Sequence, residues 1–89
     1  MSDEITANSP EAQSSVSAAF DSVDLINAIV AGTSDIETDE DKVSSADCNY
    51  RHLEIMMAKD WFSDTLTADQ TSDINAAITA GSTYWNANK

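Results

Sequence analysis

The sequence predicts an all-α domain: a helical hairpin of two long antiparallel helices plus a short third helix, with an N-terminal arm and a C-terminal aromatic tail. Three observations predict it. Only two glycines and one proline interrupt 89 residues. No apolar run alternates with period two over the length of a strand. Apolar residues instead recur at helical spacing between recognisable start and stop signals.

Residues 1–9 are polar and aperiodic and read as an extended arm, and residues 10–89 as one helical domain. Ser9-Pro10-Glu11 is a helix start: a hydroxyl that can accept from an orphan amide, a proline at the first helical position, and an acid at the positive end of the dipole. The first helix runs from about Pro10 to Ala31. Val16, Phe20, Val23, Asn27 and Val30 follow 4, 3, 4, 3 spacing, and Leu25, Ile26 and Ile29 widen the stripe. Gly32 supplies the left-handed residue that ends it. Thr38, with Asp41 three residues on, caps a second helix expected from about Asp39 to Ser63, roughly 37 Å long at 1.5 Å per residue.

On that second helix Ala46, Tyr50, Leu53, Met57 and Trp61 share a face, while Ile55, Met56 and Phe62 lie partly off it. Thr67-Ala68-Asp69-Gln70 is a capping box, and it opens a third helix expected to run to Ala80 and close at Gly81. Residues 82–89, with Tyr84 and Trp85, then form a tail anchored by its aromatics. Asp24 to Thr33 aligns without gaps on Asp73 to Ser82, and both stretches are expected to end a helix in Ala-Gly. One such pair is too little for a repeat architecture and reads as shared helix-end chemistry.

Composition bounds the function. Leu, Ile, Val and Phe make up 16 of the 89 residues, so the core is thin, and a net charge of −12 places the chain near the range of sequences that fold poorly alone. Company is therefore expected. A phosphate backbone would be repelled, which disfavours direct nucleic-acid binding. The longest helical apolar stretch, Leu25 to Ala31, falls short of a membrane span, and Met-Ser-Asp-Glu lacks the basic and apolar regions of a signal peptide, so no membrane contact is expected. A lone cysteine, Cys48, rules out an internal disulfide framework.

No residue constellation names a reaction, and neither an enzyme nor a cofactor is expected. Cys48 and His52 stand four apart on the second helix, but two ligands do not make a zinc site and no further Cys or His exists to complete one. His52-Leu53-Glu54 matches half of a zinc deaminase signature, and the other half is missing. Asp35, Glu37, Asp39 and Asp41 alternate as in a calcium loop, yet Glu40 stands where that loop needs glycine and Ala46 where it needs glutamate. As helix-starting acids they are favoured by the dipole.

Charge distribution says more. Ten of the sixteen acids precede the first base, Lys42, and Asp35, Glu37, Asp39, Glu40 and Asp41 form the densest acidic surface. Three explanations compete: a surface facing a basic groove on a partner, an imitation of DNA, or adaptation to saline surroundings. Met56, Met57, Trp61, Phe62, Tyr84 and Trp85 are the candidate interface anchors, because three helices of this size cannot readily bury both tryptophans and both methionines in one seam.

His-Leu-Glu-Ile-Met-Met-Ala-Lys-Asp-Trp (52–61) and Ile-Asn-Ala-Ala-Ile-Thr-Ala-Gly (74–81) carry a resemblance. From about Tyr50 to Tyr84 the chain is similar to small acidic virion-associated proteins of marine tailed bacteriophages, cyanophages especially. That resemblance implies a component of the head, neck or tail, made in the host cytoplasm and located in the virion, present in several copies and docked on larger structural proteins. The alternative expectation is a small acidic regulatory or inhibitory protein, a DNA mimic acting on a host factor.

Overall fold

A computed structural model describes residues 5–89. Four helices follow in order: α1 (Pro10–Ala31), α2 (Asp39–Met57), α3 (Asp60–Ser63) and α4 (Ala68–Asn88), with no strand among the described residues. The molecule measures 45 × 27 × 20 Å. The first four residues of the expected arm lie outside the described residues. Its remainder is a turn and not extended chain: Ser9 N–H donates to the Thr6 carbonyl at 3.2 Å, and Asn8 takes the left-handed conformation at φ 63°.

α1 begins and ends where its residues dictate. The Ser9 hydroxyl accepts from Ala12 N–H at 3.1 Å and Pro10 occupies the first turn. At the other end Gly32 sits at φ 79°, its N–H donating to Ile29 O, while Thr33 N–H reaches Ala28 O at 2.8 Å, the paired bonds of a Schellman end. The buried stripe is Ala12, Val16, Ala19, Val23 and Ile26, with Ser22 and Ile29 beside it. Asn27 and Val30, expected inside, face outward, and Val30 is 51% exposed. Ile26 and Ile29 take those inward places, and Ala12 and Ala19 line the inner face of the first half of the helix. At 22 residues α1 is also long and apolar enough to cross a bilayer by length and composition, although no single apolar run in it is. In this fold its apolar face is core.

The second helix is shorter than expected. It stops at Met57, and Lys59 takes an extended conformation (φ −93°, ψ 120°) before the single turn of α3. Neither proline nor glycine marks the break; geometry explains it. In a straight helix at 100° per residue, Phe62 would lie about 180° around from Leu53, on the solvent side. Turning the chain at Lys59 brings Phe62 to 0% exposure beside Leu53, Ile26 and Ile74, the four largest fully buried side chains. Burial of a Phe is worth roughly 1.5–3 kcal/mol, against about 0.5–1.5 kcal/mol for a hydrogen bond lost at the break. Burial wins.

α4 is longer than expected. Its capping box forms as read, Gln70 N–H donating to Thr67 Oγ1 at 3.1 Å and Thr67 N–H to Gln70 Oε1 at 2.9 Å. The helix then passes straight through Gly81, so the expected C-terminal tail is the last two turns of α4. Gly81 is buried, and a Cβ placed there would lie 2.9 Å from Tyr50 Cβ and 3.4 Å from two Ile26 carbons. It serves close approach of α4 to α2 and α1, whereas Gly32 serves a left-handed turn. The two Ala-Gly segments thus do different work.

Candidate interaction surface

The six candidate anchors do not form one patch. Met56 and Met57, on the last turn of α2, and Trp61, on α3, are half-buried and pack against the edge of the core. Trp61 meets Phe62 edge-on, ring centroids 6.2 Å apart and planes at 82°. Phe62 itself is enclosed and offers no surface in this chain, which corrects its expected place among the exposed anchors. Ile55, outside the expected set, is 59% exposed beside Met56. Its place on the outward side of α2 was legible in the helical wheel, seven residues from exposed Cys48 and five from buried Tyr50.

Tyr84 and Trp85 lie on α4, Tyr84 half-buried and Trp85 packed against Tyr50 of α2. The Trp85 ring packs at 49° to Tyr50, centroids 6.3 Å apart. Arg51 places its guanidinium carbon 5.6 Å from the Trp85 centroid and 5.7 Å from that of Tyr50, and Lys89 Nζ lies 4.2 Å from the Trp85 centroid. Two of the chain's four bases are thereby held against one indole. Arg51 also forms an ion pair and hydrogen bond with Asp47, one turn back, and this carboxylate holds the guanidinium above its ordinary pKa. Sequence reasoning missed this cluster. The i, i+4 pairing of Asp47 with Arg51 was the available signal.

Asp35, Glu37, Asp39, Glu40 and Asp41 are all exposed. The last three occupy the first turn of α2, where Thr38 Oγ1 accepts from Asp41 N–H at 3.1 Å and Lys42 Nζ approaches Asp39 at 3.8 Å. Helix-start chemistry accounts for these three; it does not account for Asp35 and Glu37, which precede the cap. A shallow cleft of about 420 Å³ separates this turn from the end of α4, lined by Asp39, Glu40, Val43, Asn88 and Lys89. It brings one base, Lys89, to the acidic surface. Cys48 and His52 are exposed, and no group of three His, Cys, Asp or Glu side chains converges among the described residues.

The arrangement is therefore a folded bundle with two distinct surface features: an apolar edge where α2 turns into α3, and an acidic shoulder at the start of α2. No protein-family model, curated protein or solved structure matches this chain.

Proposed function

We propose that the protein is a non-enzymatic structural subunit of a larger assembly, a bacteriophage virion component of the head, neck or tail. In this reading α1 and α2 form an antiparallel hairpin joined by residues 32–38, α4 lies along it, and several copies dock on larger structural proteins. The observation that carries the reading is the incompletely covered apolar edge: Ile55 at 59% exposure beside half-buried Met56, Met57 and Trp61. A partner covering that edge would add the apolar burial that so acidic a chain lacks. The acidic shoulder would steer the encounter toward a basic surface.

The five exposed acids favour a second reading, a regulatory protein that occupies the DNA site of a host factor. Quantitative mass spectrometry of purified particles separates the two. A structural subunit is present at fixed stoichiometry after stringent washing. Absence from particles, together with salt-sensitive competition with DNA for a host protein, overturns the first reading and supports the second.

A further inference from the structure

The α3 corner is weakly built in itself. It is a single turn of four residues, preceded by Lys59, which is exposed, extended and without a side-chain cap bond. Yet it holds Phe62, which no water reaches. Something from elsewhere in the chain closes the corner: Asn8 N–H donates to Thr65 Oγ1 at 2.8 Å across 57 residues of sequence. Thr65 is buried, and its hydroxyl in turn donates to the Trp61 carbonyl at 2.7 Å. One hydroxyl thus joins the turn before α1 to the carbonyl end of α3. The turn is shaped for it, since the left-handed Asn8 aims its N–H outward while Ser9 N–H folds back on Thr6 and the Ser9 hydroxyl caps α1.

We propose that residues 6–9 are a releasable strap, a conformational device that holds the α3 corner closed and whose detachment opens residues 58–66 without unfolding α1, α2 or α4. The inference stands independently of the functional reading above. Its chemistry is one shared hydroxyl: losing the Asn8 bond leaves Thr65 tied to its own helix turn, and among the described residues no other hydrogen bond joins residues 58–66 to the segment before α1. Local opening of this kind is what distinguishes a cooperative subunit of low stability from the rest of a fold. Once open, the corner exposes Trp61 and Phe62 together.

The test uses the full chain and two variants that remove the bond from opposite sides. Thr65→Val removes the acceptor, together with the bond to Trp61, while keeping the shape, and an amide-to-ester replacement between Ala7 and Asn8, made by chemical synthesis of the full chain, removes the donor alone while keeping the left-handed φ of 63°; Thr65→Ser keeps the hydroxyl as a control. Site-resolved amide exchange and limited trypsin cleavage after Lys59 are measured for each. Both variants are expected to raise exchange at residues 60–66 and cleavage after Lys59 about five-fold, the size of one ordinary hydrogen bond, with α1 and α4 unchanged. Thr65→Ser is expected to behave as the parent. Unchanged exchange at residues 60–66 overturns the proposal. So does a rise spread evenly over all helices, which would make the bond a contributor to global stability and nothing more.

Discussion

Substituting Gly81 by alanine sets two opposed effects against each other within one helix. In the interior of a helix alanine is favoured over glycine by about 1 kcal/mol. Against this, the new methyl would sit 2.9 Å from Tyr50 Cβ, where ordinary contact begins near 3.4 Å. Tyr50 Cβ is bonded to the α2 backbone and cannot swing aside, so relief requires α2 and α4 to separate by about half an ångström. Gaps of that size forfeit a quarter or more of the dispersion energy along the seam, and overpacking of this kind costs typically about 1–3 kcal/mol. The expected net loss is about 1 kcal/mol, or a fall of roughly 4–8 °C in Tm for a chain this short. Urea and thermal unfolding followed by circular dichroism measure it. Ala76→Gly, at an exposed position of the same helix, calibrates the propensity effect by itself. A Gly81→Ala protein several degrees more stable than the parent would refute the close-approach argument and return Gly81 to the role of an ordinary helix residue.

Other substitutions probe other parts of the fold. Phe62→Ala removes the largest fully buried side chain and is expected to cost about 3–5 kcal/mol, seen as a lower midpoint in urea denaturation; a loss under about 1 kcal/mol would mean α3 is not part of the core. Thr67→Ala removes the hydroxyl that accepts from Gln70 N–H, leaves the Thr67 N–H bond to Gln70 Oε1 in place, and should cost about 1 kcal/mol in urea denaturation. Gly32→Ala, at φ 79°, should cost about 1–2 kcal/mol although nothing stands near its Cβ, separating backbone strain from crowding. Raising NaCl from about 10 mM to about 1 M shortens the screening length from roughly 30 to 3 Å and should raise Tm, because the net charge is −12. A Tm that falls over this range would show that attractive ion pairs outweigh self-repulsion.

Capping chemistry made the helix starts legible. Ser9, Thr38 and Thr67 each stand at the N-terminus expected of them, and Gly32 ends α1 at the expected residue, because such signals are local and depend on one or two side chains. The break at Lys59 was not legible, since its cause is the long-range demand that Phe62 reach Leu53 and Ile74. Gly81 was misread for a similar reason. An Ala-Gly pair looks alike at a helix end and at a helix crossing, and only the continued spacing of Ile74, Ala77, Gly81 and Trp85 tells them apart. Alanines 12 and 19 carry little apolar signal, so the true inner stripe of α1 was displaced toward Phe20 and Val30. Of the surface residues, the acids stand exposed as their type requires. The aromatics divide between core and edge by packing that composition does not encode.

The turn at Lys59 also has a consequence for the order in which the molecule is made. Phe62, Ile74, Ala77 and Gly81 all follow it, so a nascent chain that has emerged only through α2 has an inner wall with nothing to lie against. Residues 60–89 take roughly 2–6 s to translate at about 5–20 residues per second. For that interval the first two helices are exposed to chaperones and to other growing copies on the same message, and a chain that stops before Phe62 lacks Phe62, Ile74 and Ala77 from its interior.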